Sequence, residues 1–183
     1  MVPIVETERL RLRGFEAADF PFLQAMLGDA EVMRHVGGVP LGREDAWRRA
    51  LQARGCWALL GYGYWLVERR SDGVLLGQAG FGDFKRDMEP DISGLPEAGW
   101  MFAPHAWGQG YAGEAVAAML AWADARLDAP IIPAIIDPAN RASIRVAWKT
   151  GFGPPEPACY RGDPILLFRR TRPPQPGSRG APP

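Results

Sequence analysis

Hydrophobic periodicity in this chain switches between two residues and about 3.6, and that alternation limits its fold more than any other feature. Leu10, Leu12 and Phe15 read as a first strand ending at Gly14, with Arg9, Arg11 and Arg13 interleaved on the opposite face. Phe20, Leu23, Met26 and Leu27 then recur at helical spacing over residues 16–28, with Gly28 as the stop. A second helix is expected over residues 43–53, its stripe formed by Ala46, Trp47, Ala50 and Leu51. Residues 62–70 and 75–84, joined by Ser71-Asp72-Gly73, predict an antiparallel hairpin.

Beyond a polar loop at residues 87–96, Glu97 to Phe102 reads as a short buried strand. A helix follows over residues 111–127, burying Val116, Met119, Leu120, Ala123 and Leu127. Residues 131–136 form a strand in which Pro133 must sit where no ladder donor is needed. Residues 142–150 suit a helix stopped by Gly151, and two last strands, residues 157–160 and 165–170, turn at Gly162-Asp163. The order β-α-α-β-β-β-α-β-α-β-β predicts an α/β (α+β) domain: a mixed, mostly antiparallel sheet of about seven strands with about four helices on its faces. A length of 183 residues fills one such core, taken here as residues 1–171, and is short for two. Residues 172–183, rich in proline and glycine, have almost nothing to bury and are expected to be disordered.

Lys plus Arg equals Asp plus Glu at 21 each, so no basic excess argues for a nucleic-acid partner. No stretch approaches the ~18 apolar residues of a membrane span, and the first residues lack the pattern of an export leader. Cys56 and Cys159 stand alone, which argues against a disulfide framework or zinc site and for a cytoplasmic location. The aromatic content leaves room for a homodimer.

Chemistry concentrates where the third helix begins. Gly108, Gly110 and Gly113 surround its first turn, whose N–H groups have no partner inside the helix. Those donors and the helix dipole suit an anion, and small residues let phosphate oxygens reach the main chain. The spacing lacks the lysine and hydroxyl of a P-loop. It also lacks the acidic residue that a dinucleotide site places on the ribose.

The run Glu97-Ala98-Gly99-Trp100-Met101-Phe102, Pro104, Trp107-Gly108-Gln109-Gly110-Tyr111-Ala112-Gly113-Glu114-Ala115 resembles motif A of the GNAT acetyltransferases, and is similar in particular to the ribosomal-protein N-terminal acetyltransferases. Asn140, Ser143, Val146, Lys149, Gly151 and Phe152 resemble that branch's second signature, and residues 6–13 its usual first strand. The resemblance spans roughly residues 6–170.

It implies acetyl-CoA as cosubstrate and no metal, with the amides of Gln109, Gly110, Tyr111, Ala112 and Gly113, beside Gly108, holding the pyrophosphate. It also implies that the strands at 97–102 and 131–136 splay apart, with pantetheine lying between them against Trp100, Met101 and Phe102 and within reach of Asn140. Trp107 replaces the usual Arg or Gln, a change that main-chain binding tolerates. The acceptor would be a primary amine, either a protein N-terminus or a small molecule.

Such an amine must lose a proton to attack a thioester, and the resemblance makes Glu97 the base, acting directly or through water. The tyrosine that many relatives carry on the following helix is replaced by Ala147, which leaves Ser143 as candidate acid; capping or packing its helix is the alternative role for Ser143. Asn140 can contact pantetheine and cap the same helix at once. Tyr160 can approach the acceptor or sit at the core edge. His35 and His105 have no partner signature and receive no role. Asp83, Asp87, Glu89 and Asp91, set against Lys85 and Arg86, either steer a cationic amine or are simply solvated. A CoA-binding module without turnover is the alternative on the same fold.

Overall fold

Leu10 and Leu12 are both fully buried, so the alternating segment forms strand β2 (Leu10–Arg13). In the computed structural model, which describes residues 1–173, β2 pairs antiparallel with β1 (Val5–Glu6) and β3 (Tyr64–Arg69). Two residues are too few for periodicity to reveal β1. Phe15 is not part of β2: past Gly14 it packs with Leu23, Met26 and Leu27 in a second apolar cluster.

The expected hairpin joins β3 to β4 (Leu75–Gly82), with Gly73 at φ 75° closing the turn. The other edge of β4 takes β6 (Glu97–Phe102). These five strands form a sheet ordered β1-β2-β3-β4-β6. A second sheet is ordered β5-β8-β9-β7, from β5 (Met88–Glu89), β8 (Glu156–Tyr160), β9 (Asp163–Thr171) and β7 (Ile131–Ile136).

β5 lies inside the segment expected to be loop, where pairing of Met88 with Tyr160 orders it. All pairings within the two sheets are antiparallel. β6 and β7 lie side by side but share no ladder, so the sheet expected as one body opens between them. Pro133 is tolerated because β7 is an edge strand.

The first expected helix divides into a 3-10 turn (Ala17–Asp19) and α1 (Phe20–Leu27). A further helical turn, α2 (Ala30–Met33), is started by the Asp29 carboxylate, which accepts the N–H groups of Glu31 and Val32 at 2.7 and 3.2 Å. α3 (Arg43–Leu60) outruns its expected end at residue 53. Trp57, one turn further, packs edge-on against Trp65 and Trp122 at 4.6 and 5.4 Å, and its burial carries the helix through Gly55. Gly61, left-handed at φ 75°, then stops it.

The expected stripe on α3 is narrower than its hydrophobicity suggests. Ala46 and Ala50 are buried, whereas Leu51 is 54% exposed and Trp47 lies edge-on to Phe20 at the surface. α4 (Tyr111–Arg126) buries Val116, Met119, Leu120 and Ala123 in the main core with Trp65, Phe81 and Ile132; Leu127, just past its end, is half-buried. α5 (Arg141–Lys149) follows β7. The smaller cluster packs α1, α2 and α3 against Met101 and Ala103 at the end of β6.

No helix among the described residues is long and apolar enough to cross a membrane, and Cys56 and Cys159 are free. Residues 174–183, most of the expected disordered tail, lie outside the described residues.

Candidate functional site

Gly110 caps α4 in the left-handed region at φ 81°, and Gly108 stands at φ 73°. A side chain at either would be strained, so the sequence can make this turn only with glycines. Gly113 differs: it is helical, and its missing Cβ simply leaves open space. The first bond of the helix runs from Glu114 N–H to Gly110 O at 3.2 Å, and the N–H groups of residues 108–113 donate to no described residue. Six main-chain donors at and before the positive end of a 16-residue helix are therefore without a partner among the described residues.

The turn is held by side chains from the far end of the sequence. Arg9 Nη1 donates to Gln109 O at 3.0 Å, and Arg9 Nε donates to Glu114 Oε2 at 2.7 Å. Thr7 Oγ1 reaches Glu114 Oε1 at 2.5 Å, and the Arg9 guanidinium lies over the Tyr111 ring at 4.7 Å. Burial alone would raise the Glu114 carboxyl, but bonds from Thr7 and Arg9 hold it below the usual carboxylate range. On the other side, Gln109 Nε2 donates to His105 O at 2.7 Å and Trp107 Nε1 to Phe102 O at 2.7 Å. Trp107 thus supplies rigidity where Arg or Gln is usual in the chains it resembles, and Arg9 brings a cation to the turn through space. Arg9→Ala is expected to weaken CoA binding roughly two- to fivefold, the range for a solvent-exposed ion pair. Equal calorimetric affinities for CoA would show that the clamp is idle.

From this turn the gap between β6 and β7 runs back along Phe102, Met101 and Trp100. Because both are edge strands, alternate main-chain groups face the gap without a ladder partner. The Phe102 carbonyl has one lone pair already engaged by Trp107. Met101 packs against the N-terminal helices, and Trp100 lies 6.3 Å from the Phe152 ring. On the β7 side, Asn140 Oδ1 accepts the Ser143 N–H at 3.0 Å and caps α5, which leaves the amide NH2 of Asn140 without a partner among the described residues. Ser143 is half-buried in the first turn of α5, and Ala147 is fully buried, so no hydroxyl stands at the latter position.

Glu97 opens β6 and is only 5% exposed. Arg86 grips both of its oxygens, Nε to Oε2 at 2.6 Å and Nη2 to Oε1 at 2.8 Å. The Arg86 guanidinium lies 4.9 Å from the Phe84 ring and 4.7 Å from that of Tyr160, joining the loop after β4 to β8. Tyr160 therefore serves Arg86. The Tyr64 hydroxyl lies over Gly99, so close that a Cβ there would stand 2.1 Å from it. Burial, reinforced by the Glu97 charge, pushes the Tyr64 phenol up, so it stays protonated.

In the acidic loop, Asp83 is buried against Lys85 at 2.5 Å and is not available to steer a ligand, whereas Asp87, Glu89 and Asp91 are exposed. His105 Nε2 bonds Leu75 O at 3.0 Å, a structural contact. His35, without a partner in sequence, meets Asp137 at 2.5 Å across 102 residues. Among the described residues no group of three or more His, Cys, Asp or Glu gathers in a way that could hold a metal.

Arg9, Arg86, Tyr64 and the His35–Asp137 pair were not legible in the sequence, because each partner is distant along the chain. Gly99 was the one signal for Tyr64, since a glycine inside a strand marks close approach.

Residues 9–153 match the family described as the acetyltransferase (GNAT) domain. The uncharacterized protein YkkB of Bacillus subtilis is 33% identical over 171 residues, covering 90% of this chain and 93% of that protein. An acetyltransferase structure from Agrobacterium tumefaciens, 29% identical, superposes with a TM-score of 0.79 over 92% of this chain and 94% of the other. Two structures share the fold at 16% identity. RimL, a ribosomal L7/L12 alpha-N-protein acetyltransferase, has a TM-score of 0.74, covering 93% of this chain and 95% of its own. Spermidine N-acetyltransferase from Vibrio cholerae, in complex with CoA and spermine, has a TM-score of 0.71, covering 91% and 97%.

Proposed function

Because the chain belongs to the GNAT acetyltransferase family and is an acyltransferase, we propose that it moves an acetyl group from acetyl-CoA to a primary amine by direct attack within a ternary complex. One observation carries this reading: the N–H groups of residues 108–113, which follow the end of β6 closely in sequence, donate to no described residue, and β6 and β7 are neighbouring edge strands that share no ladder. A pyrophosphate at the turn would place pantetheine along Trp100, Met101 and Phe102, like an added strand, with the Asn140 amide donating from the other wall. No metal is required.

In this reading the amine nitrogen attacks the acetyl carbon. Glu97 accepts a nitrogen proton through a lone pair that Arg86 leaves free, directly or by way of water. The C–S bond then breaks, and the departing sulfur takes a proton from the Ser143 hydroxyl, which is refilled from solvent. The half-buried position of Ser143 beside Asn140 supports this role. Asp87, Glu89 and Asp91 form the exposed acidic rim through which a cationic amine would arrive.

The acceptor is a protein N-terminus or a small amine. The signature at Asn140, Ser143, Gly151 and Phe152 supports the ribosomal-protein branch. The likeness to RimL and to spermidine N-acetyltransferase supports both acceptor classes equally. A screen of peptides with free N-termini, polyamines and aminoglycosides, read by mass and by thiol release from acetyl-CoA, is expected to give one acetylated class. Tight CoA binding with no thiol release for any amine would reject turnover and leave a CoA-binding module.

A further inference from the structure

Acyl transfer builds negative charge on the carbonyl oxygen as the nucleophile adds, and a donor already aimed at that oxygen lowers the barrier. In the reading above Glu97 takes a proton and Ser143 gives one to sulfur, which leaves the oxygen without a donor. The same reading fixes where that oxygen lies. Pantetheine enters at the glycine turn and runs along β6 past Phe102, Met101 and Trp100, so the thioester comes next, level with Gly99 and short of Glu97. As an added strand it would lie about 4.8 Å from β6.

Tyr64 brings a hydroxyl to this point. It stands in register with Gly80 on β4, and Gly80 stands in register with Gly99 on β6. With no side chain at Gly80 the phenol crosses β4, and its oxygen ends at Gly99, where there is no room for a Cβ. Side chains alternate along a strand, so Gly99 and Glu97 address the same face of β6. The Tyr64 hydroxyl and the Glu97 carboxylate therefore share one side of the sheet, two residues apart along β6. Because β6 is the edge of its sheet, the gap towards β7 lies immediately beyond Gly99.

The hydroxyl is free for such a role. The Tyr64 main-chain carbonyl accepts Trp57 Nε1 at 3.0 Å, but the phenolic oxygen bonds no described residue, and the side chain is half-buried rather than sealed in the core. The Phe84 ring lies 6.4 Å from that of Tyr64, so an apolar wall flanks it. Burial and the Glu97 charge keep the phenol protonated against the opposing pull of Arg86 and Arg49. A neutral donor in a weakly polar setting gives its strongest hydrogen bond to an oxygen that is gaining charge.

Resting on the acetyl-transfer reading, we propose that Tyr64 is a catalytic residue whose hydroxyl donates a hydrogen bond to the acetyl oxygen of the bound thioester. As the amine nitrogen adds to the acetyl carbon, the C=O π pair moves onto oxygen and the bond from Tyr64 tightens. When that pair returns, the C–S bond breaks and its electrons leave on sulfur. The phenol keeps its proton throughout.

The test is Tyr64→Phe, which keeps the ring over Gly80 and removes the hydroxyl alone. With whichever of spermidine, kanamycin or a free-N-terminus peptide the wild type acetylates, kcat is expected to fall about 10²- to 10³-fold, the usual worth of one such donor. CoA affinity and Tm should stay at their wild-type values, and the deficit should be the same at pH 7 and pH 9, because the phenol does not titrate there. Isotope-edited infrared spectra of bound acetyl-CoA need no acceptor, so they decide the proposal even where no amine in the panel is acetylated. The thioester carbonyl band is expected at lower frequency on the wild type than on Tyr64→Phe. A wild-type kcat in the variant, or one carbonyl frequency in both proteins, would overturn the proposal and leave acetyl transfer standing. A wild type that does not bind acetyl-CoA would instead overturn the acetyl-transfer reading, and this inference with it.

Discussion

Glu97→Gln is expected to lower kcat for acetyl transfer by about 10²- to 10⁴-fold, the usual worth of a general base, while CoA affinity stays within about twofold. The substitution keeps the shape of the side chain and removes its charge, so only proton acceptance and the Arg86 pair are lost. Those two losses can be separated. Breaking a buried ion pair destabilises the fold whichever partner is removed, so Glu97→Gln and Arg86→Gln should both lower the melting temperature. If Glu97 is the base, Arg86→Gln retains far more turnover per folded molecule than Glu97→Gln, because the carboxylate is still present. Equal loss of kcat in the two variants, or unchanged turnover by Glu97→Gln from pH 6 to 10, would remove Glu97 from the chemistry and leave it as half of an ion pair.

Trp65→Ala destabilises the protein by about 3 to 5 kcal/mol, the range for an aromatic truncated in a packed core. Trp65 is fully buried between Trp57 and Trp122, at 4.6 and 5.1 Å, with Phe81 at 6.4 Å, and its Nε1 donates to Pro3 O at 2.8 Å. Removing it opens a cavity where β3, the last turn of α3 and α4 meet, and leaves a backbone carbonyl without its donor. For a chain of this size, that corresponds to a fall of roughly 6 to 20 °C in Tm. Trp148, half exposed on α5, provides the contrast: Trp148→Ala should change stability by less than about 1 kcal/mol. Urea melts of the two variants decide the matter, and a Trp65→Ala cost below that of Trp148→Ala would mean that the core repacks around the loss.

The same tryptophans mark a boundary of sequence reading. Local pattern ended α3 at residue 53, because Gly55 and the fading apolar stripe look like a stop. The helix continues because Trp57 finds Trp65 and Trp122, from β3 and α4, already in place. β5 follows the same logic: Met88 and Glu89 read as loop, and are strand only because Tyr160 and Cys159 lie opposite. Conversely, Leu10 and Leu12, the turn at Gly73 and the core face of α4 were all correctly placed, since side-chain alternation and turn chemistry act within a few residues.

At the candidate site, what the sequence by itself determined is the glycine turn that starts α4. Gly108 and Gly110 must be glycines because their φ values are positive, and the unpaired amides that follow belong to any helix start. The arrangement of charge around that turn and along the gap was decided only by the tertiary structure. Arg9 reaches Glu114 across 105 residues and His35 reaches Asp137 across 102, while Arg86 closes on Glu97 as the loop after β4 folds back. Main-chain donors are fixed by local dihedral angles, but an ion pair exists only once the fold has brought distant side chains within about 3 Å. That is why the unpaired amides of the turn could be read from the order of residues and the ion pairs around it could not.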